Sequence, residues 1–311
     1  MNPKIEILSV NRSEQKGTIK IPCRQAEVDL LGLAGDAHAG PGLRQVSLLD
    51  KAAIDRFAET LDRTIEPGEF GENLTVRGLP TDGVFPLDCL RFEQVELQVT
   101  QLGKECHGAG CAIFQQVGTC VMPREGVFAR VRQGGILRPD MKGSYLPRTL
   151  HLKIITLSDR AMAGVYVDRS GPLIRQRLEE YFLPRHWQLE IDLIILPDEI
   201  KPLDVALSES IAAGADVIFT TGGTGVGPRD ITSEVVSAHC EKFIPGIMEH
   251  VRLHYGAVNP RAWLSRSVAG IAGRTQIYAL PGSPKAVEEY LQEIFKILDH
   301  VVYILQDLDP H

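Results

Sequence analysis

The sequence predicts two domains of different class. Residues 1–140 read as a mostly-β, barrel-like unit, and residues 151–311 as a three-layer α/β unit with a mostly parallel sheet. Three observations carry this. At 311 residues the chain is longer than one hydrophobic core usually serves, so two units of about 150 residues each are expected. Short apolar or alternating segments separated by turn residues fill the first half, whereas strand, glycine-bearing loop and helix alternate in the second. Between them, the stretch from Gly134 to Thr149 holds Gly-Gly, two prolines and Lys-Gly-Ser, and the linker is placed at 141–150.

In the first half, Ile5-Glu6-Ile7-Leu8-Ser9-Val10, Asn73-Leu74-Thr75-Val76 and Val95-Glu96-Leu97-Gln98-Val99 read as strands. Gly32-Leu33-Ala34-Gly35-Asp36, Glu66-Pro67-Gly68-Glu69-Phe70-Gly71 and Thr81-Asp82-Gly83 supply the turns. One helix is expected over roughly 49–61. In the second half, strands are expected at 152–157, 193–196, 216–219 and 275–280. Helices are expected at Pro172 to Phe182, with Ser170 or Gly171 as the cap, at Leu203 to Ala213, after Asp230 and from Pro284.

Composition removes several function classes. Apolar residues make up 44% and charged residues 23%, the balance of a globular protein with a core. A net charge of −7 with no basic stripe argues against nucleic-acid binding, though a few local cations suffice for a small phosphorylated substrate. The amino terminus has no basic segment followed by an apolar core, and no apolar run approaches the ~20 residues of a membrane helix. Six cysteines at irregular spacing read as reduced thiols of a cytoplasmic protein with no membrane partner.

The most informative stretch is Thr220-Thr221-Gly222-Gly223-Thr224-Gly225-Val226-Gly227-Pro228-Arg229-Asp230, entered from the apolar run Asp216-Val217-Ile218-Phe219. A buried strand opening into a glycine loop lets backbone N–H groups approach a phosphate without side chains in the way. Arg229 and Asp230 then add a guanidinium and a carboxylate able to hold Mg²⁺. Other loops carry polar groups after the expected strands: Ser158-Asp159-Arg160 with Tyr166 and Asp168, Pro197-Asp198-Glu199, and Pro281-Gly282-Ser283-Pro284-Lys285. In a parallel sheet these loops share the carboxyl edge, where ligands bind. Each alone is also an ordinary helix cap; Asp198 could cap the following helix, Asp159 could pair with Arg160 or backbone amides, and Tyr166 could be packing.

On these motifs, with Pro245-Gly246, Glu249 and Leu264-Ser265-Arg266, residues 151–305 resemble the molybdopterin adenylyltransferases of molybdenum-cofactor biosynthesis. The resemblance implies transfer of AMP from ATP to the terminal phosphate of molybdopterin with Mg²⁺. It places Asp198 and Asp230 as catalytic metal ligands. It places Ser158, Asp159, Arg160, Thr221, Gly222, Gly223, Thr224, Gly225, Arg229, Ser265, Pro281, Gly282, Ser283 and Lys285 in the substrate- and nucleotide-binding site, with Glu249 and Arg266 toward the pterin. It also implies a homo-oligomer, a trimer being the form it suggests, with other molybdenum-cofactor enzymes as partners.

In the first half, Gly35-Asp36-Ala37-His38, Arg44-Gln45-Val46-Ser47-Leu48, Gly68-Glu69-Phe70-Gly71-Glu72-Asn73-Leu74 and Arg124 through Gly135 resemble the MOSC family, the domain of molybdenum-cofactor sulfurase carboxyl ends. That implies a β-barrel fold and a cysteine, here Cys106, that carries sulfur or contacts a molybdenum-pterin species. Leu102-Gly103-Lys104-Glu105 stands where the family has Pro-Arg-x-Pro, which argues against sulfur transfer. Lys104 and His107 beside Cys106 would favour its thiolate; a buried inert thiol is the alternative. Cys106, His107, Cys111 and Cys120 lack the paired spacing of a zinc ribbon. His38, near Asp36 and Arg44, is either ligand-facing or a hydrogen-bonded structural histidine. Two further readings stay open: a pterin-binding scaffold without adenylylation, and sulfur transfer at Cys106 as the main chemistry. Linking the two domains would raise the local concentration of an intermediate passed between them.

Overall fold

The two sequence grammars separate into two compact units, 1–148 and 149–311, in a computed structural model that describes residues 3–80, 83–104, 120–185 and 187–308. Cys106, His107 and Cys111 lie outside the described residues.

The first unit is a closed barrel. Its strands are β1 (Lys4–Arg12), β5 (Val46–Asp50), β6 (Leu74–Arg77), β7 (Cys89–Phe92), β8 (Val95–Leu102), β9 (Val127–Gln133) and β11 (Lys142–Leu146). They pair in the order β11-β7-β8-β9-β5-β6-β1, and β1 pairs back to β11, so the sheet closes and leaves no barrel edge. Short β2 (Ile21–Cys23) joins the outside of β1, and β3 (Ala26–Asp29), β4 (Gly32–Leu33) and β10 (Gly135–Leu137) form a small second sheet. Alternate residues point inward and bury Ile5, Ile7, Leu48, Leu74, Leu90 and Val99 in one core. Helix α1 (Lys51–Leu61) starts at Asp50, whose carboxylate accepts the Ala52 N–H at 2.8 Å, and a short α2 (Met122–Glu125) precedes β9.

The segment expected as a linker corrects that expectation. Residues 142–146 are the barrel's closing strand, and β12 (Thr149–Leu157) of the second unit begins three residues later. Gly143 is small because the strand needs it: a Cβ there would lie 2.4 Å from a ring carbon of Phe92 and 2.6 Å from the Arg91 carbonyl oxygen.

In the second unit the strands are β12, β13 (Gln188–Leu196), β14 (Val217–Thr221), β15 (Lys242–Phe243), β16 (Val268–Ala272) and β17 (Thr275–Leu280). The sheet order is β13-β12-β14-β17-β16-β15. The first four strands are parallel, and β16 and β15 are antiparallel additions at one edge. Period-two alternation sends Ile155, Ile218 and Ile277 to one face, against Leu203, Leu207 and Val236. Phe219 and Tyr278 leave the opposite face and stack with centroids 5.3 Å apart.

The helices are α3 (Asp159–Met162), α4 (Ser170–Phe182), α5 (Ile200–Ala212), α6 (Thr232–His239), α7 (Pro245–Gly256), α8 (Pro284–Ile294) and α9 (Leu298–Leu305). Ser283 caps α8 by accepting the Ala286 N–H at 3.3 Å, with Pro284 at the first helical position. Ser170 and Gly171, expected as the cap, are the first two residues of α4. Buried Asp168 instead accepts the Ser170 and Gly171 amides at 2.9 and 3.3 Å and the Thr156 hydroxyl at 2.8 Å, which gives it a structural task. No described helix is long and apolar enough to cross a membrane.

Candidate active site

The parallel strands run in the order second, first, third, fourth, so the direction of winding reverses between β12 and β14. At such a switch point the loops leaving the two strands diverge and open a crevice beyond the carboxyl ends. The loop 158–160 leaves β12 there, the glycine loop 222–230 leaves β14, and 197–199 and 281–283 flank them from β13 and β17. A groove of about 600 Å³ lies elsewhere, at the amino ends of β12 and β13 beside His151, Lys153, Glu190 and Asp192, and brings no such loops together.

Asp159 and Asp198 hold each other. The Asp159 N–H donates to Asp198 Oδ2 at 3.1 Å, and the Asp198 N–H donates to Asp159 Oδ1 at 3.0 Å. This reciprocal pair fixes the ends of two adjacent strands, and Asp198 is not the helix cap, since Glu199 holds the N-cap position before α5 and makes no side-chain cap bond. Arg229 pairs with Asp159 and stands 4.0 Å from Asp198. Burial, and after it the charge of Asp230, hold the Asp198 carboxyl above the ordinary aspartate range.

The glycine loop is held by close backbone approach. Gly222 has φ +104, and a Cβ there would lie 2.4 Å from the Leu157 carbonyl oxygen. Its N–H donates to the Leu280 carbonyl at 3.0 Å, and the hydroxyl of Thr232, the first residue of α6, donates to its carbonyl at 2.7 Å. Gly282 approaches so closely that its Cβ would meet the Gly222 Cα at 3.3 Å, while the Thr221 hydroxyl donates to the Pro281 carbonyl at 2.8 Å. Asp230 closes the loop by accepting the Gly227 N–H at 2.7 Å. Gly225 and Gly227 leave the room this needs, since a Cβ would come within 2.7 and 2.9 Å of Asp230 Oδ2.

Arg266 acts from outside the loop. Its Nε donates to the Gly225 carbonyl at 2.6 Å and an Nη to the Asp230 carbonyl at 2.9 Å, while its own N–H donates to the Thr224 carbonyl at 2.8 Å. A further pair with Glu234 completes the fork. The guanidinium is spent on bracing backbone, a task that differs from pterin contact.

The remaining candidates divide. Ser158 caps α3 through the Ala161 N–H at 3.2 Å and meets the Tyr166 hydroxyl at 3.1 Å; Arg160 lies over the Tyr166 ring at 5.4 Å. Ser265 is tied to Ser267 and to the Tyr290 hydroxyl, at 2.8 and 2.9 Å. Glu249 is exposed on α7, and exposed Lys285 stands 3.8 Å from Glu289 on its own helix.

The barrel carries a second polar centre. Lys20, which the sequence did not single out, donates to both carboxylate oxygens of Asp36 at 2.6 and 2.5 Å, with both side chains fully buried, and stands 3.3 Å from His38 Nδ1. His38 is the partly exposed member of the group. Arg44 donates to Gln101 at 2.8 Å and lies over the Phe128 ring. Burial pushes the Cys89 and Cys240 thiols up to about 11, so neither is a thiolate at neutral pH. Among the described residues no group of three His, Cys, Asp or Glu side chains forms a metal cage.

Nearby Glu72 is wholly buried. Its Oε1 accepts the Gly68 N–H at 2.7 Å and the Thr75 hydroxyl at 2.8 Å, while Oε2 has no hydrogen-bond partner among the described residues. Burial holds this carboxyl above the ordinary glutamate value of 4.5, so the folded barrel keeps a proton that the unfolded chain releases. Its contribution to stability is full below about pH 4.5 and is lost as pH rises from there through the raised native value. Glu72→Gln is expected to flatten this fall in chemical-denaturation free energies measured from pH 4 to 8; a slope equal to that of the unmutated protein would exclude Glu72 as its source.

An α/β sheet with a glycine loop and paired carboxylates at its switch point has the arrangement in which sheets of this class bind ligands beyond the carboxyl ends of their strands. Residues 153–300 match the family described as "Probable molybdopterin binding domain", and residues 34–142 match the MOSC domain. The molybdopterin adenylyltransferase of Helicobacter pylori strain J99 is 37% identical over 159 residues, 51% of this chain and 89% of that protein. That of Pyrococcus furiosus is 37% identical over 162 residues, covering 50% and 92%. The molybdenum cofactor biosynthesis bifunctional protein of Chlorobaculum tepidum is 32% identical over 163 residues, covering 52% and 49%. The chain belongs to the molybdopterin adenylyltransferase family of nucleotidyltransferases, through its second unit, and joins to it a MOSC domain.

Proposed function

We propose that the second unit transfers the adenylyl group of ATP to the terminal phosphate of molybdopterin and releases pyrophosphate. The observation that carries this is the meeting of the Asp159–Asp198 pair, Arg229 and the Asp230-closed glycine loop at one switch point. Nucleotidyl transfer is mainly positioning and charge neutralisation, and these residues suit both tasks. The amides of Gly223, Thr224, Gly225 and Val226 have no acceptor among the described residues and can receive phosphate oxygens. Arg266 keeps that loop in one shape, so little order is lost on binding.

Mg²⁺ fits Asp198 and Asp230. Burial, and after it the Asp230 charge, make the ionised form of Asp198 costlier, which a cation relieves. Mg²⁺ takes one or two carboxylates, with phosphate and water completing its shell, so a three-residue cage is not required. When bound there it neutralises charge developing on the transferred phosphate.

In the same reading the barrel binds a molybdenum or pterin species, with His38 at the rim of the buried Lys20–Asp36 pair; the MOSC match supports this. Cys106 as a sulfur carrier belongs to the reading but lies outside the described residues. The reading includes a cytoplasmic location and a homo-oligomer, trimeric by resemblance, and exposed Phe243, Leu253, Val258, Trp263 and Leu264 supply apolar surface for such an association.

The test is pyrophosphate release from ATP and Mg²⁺ with and without molybdopterin. Release that requires the pterin and survives thiol alkylation is the expected result. A folded, pterin-binding protein that releases none would leave the scaffold reading, and loss on alkylation would move the chemistry to a cysteine.

A further inference from the structure

Arg229 stands beside one of the two carboxylates proposed as metal ligands, Asp198, while paired with Asp159. Asp159 and Asp198 each spend one oxygen on the other's backbone amide, and Asp230 spends one on Gly227. What remains is the Asp159–Asp198 pair with one guanidinium set against it. Arg229 pairs with Asp159 Oδ2 and reaches to 4.0 Å from Asp198 Oδ2, and it has no other hydrogen-bond or ion-pair partner among the described residues. Its side chain is 70% exposed, and residues 226–229 of its loop are exposed as well. Arg266 contrasts with it: that guanidinium is locked by two carbonyls and a carboxylate. One arginine of the site is therefore fixed, and the other is held only by the carboxylates.

We propose that Arg229 is a built-in placeholder cation, holding the Asp159–Asp198 pair until a divalent ion and nucleotide phosphates arrive, and then turning to the phosphates. The inference rests on the adenylyl-transfer reading of this site. Its physical basis is competition. A guanidinium paired with Asp159 and near Asp198 repels a divalent ion on Asp198, so each weakens the other. A phosphate beside the loop offers the guanidinium a planar, bidentate acceptor in exchange. Metal alone then binds weakly, nucleotide alone releases the arginine from the carboxylates, and the two ligands bind with positive coupling through one side chain. The arrangement guards the site against a bare cation and neutralises its carboxylates while it is empty.

Opposite signs make this testable. Mn²⁺ binding, read by electron paramagnetic resonance on the full chain, is compared for the unmutated protein, Arg229→Gln and Arg229→Lys, without nucleotide and with a non-hydrolysable ATP analogue. Without nucleotide, Arg229→Gln is expected to bind Mn²⁺ about three- to tenfold more tightly, the scale of one solvent-screened charge. Arg229→Lys keeps the charge and is expected to stay near the unmutated value. Arg229→Gln should bind the analogue several-fold more weakly and lose most of the coupling between analogue and Mn²⁺. Equal Mn²⁺ affinity in Arg229→Gln and the unmutated protein overturns the proposal, and Asp230→Asn then separates the two failures: if Mn²⁺ binding falls in that variant, the metal site stands without the placeholder. Absence of Mn²⁺ binding in every variant, with the analogue present, overturns the proposal together with the reading beneath it.

Discussion

Asp230→Asn is expected to lower pterin-dependent pyrophosphate release by about a hundredfold or more, while the protein stays folded. The scale is that of removing one preorganised electrostatic partner of a transition state, roughly 2.7 kcal/mol. Asn is the informative substitution because Asp230 has two tasks. As an acceptor it closes the glycine loop through the Gly227 N–H at 2.7 Å, and as a charge it faces Asp198. The amide oxygen of Asn keeps the first and removes the second. Asp230→Ala removes both, and the room that Gly225 and Gly227 leave for the carboxylate becomes an unfilled gap. The two variants should therefore lose turnover alike and differ in the loop, which amide hydrogen exchange over 222–231 would show as faster exchange in Asp230→Ala only. Asp230→Asn with unchanged turnover and an unchanged Mg²⁺ requirement would remove Asp230 from the chemistry and leave it as a loop-closing residue.

How much of this was legible depends on whether a signal is local. The strand over Val217–Thr221, the glycine loop and the Ser283-Pro284 start of α8 each announce themselves within a few residues, and the structure has them there. The parallel sheet followed from the same repetition, and the meeting of its loops on one edge followed from the sheet. Partners distant in sequence were not legible. Lys142-Gly143-Ser144 has the composition of a linker, yet it closes the barrel against Lys4–Glu6 at one side and Arg91–Phe92 at the other. Its glycine serves close packing on Phe92, where flexibility would be the ordinary reading. Asp168 and Arg266 carry the residue types of a binding site and are used instead on neighbouring backbone. Cap, brace and ligand all draw on the same few polar residue types, and only the partner distinguishes them.

Lys20→Met shows the same limit in its strongest form and should be the most destabilising single change in the barrel, costing about 3–5 kcal/mol. Gly35-Asp36-Ala37-His38 is among the motifs that identify the MOSC domain, but what holds it is a lysine sixteen residues upstream. Burial works to raise the Asp36 carboxyl, and the hydrogen bonds from His38 and Lys20 with the Lys20 charge outweigh it and hold the group below the usual range. Burial depresses the Lys20 ammonium, so the pair survives through mutual bonding at 2.5 and 2.6 Å and not through solvent. Removing one partner leaves the other as an uncompensated charge in the interior; removing both takes that charge away and leaves the Ser13 and His38 amides, which Asp36 accepts at 3.1 and 3.0 Å, without this acceptor. Lys20→Met with Asp36→Leu should accordingly recover part of the loss. The measurement is direct because both tryptophans, Trp187 and Trp263, lie in the second unit. Barrel unfolding is the part of the far-ultraviolet circular dichroism transition that tryptophan fluorescence does not follow, and that part should move to lower denaturant in the single variant and back in the double. A single variant within about 0.5 kcal/mol of the unmutated barrel, the range of an ordinary surface change, would show that Asp36 does not depend on Lys20 for its burial.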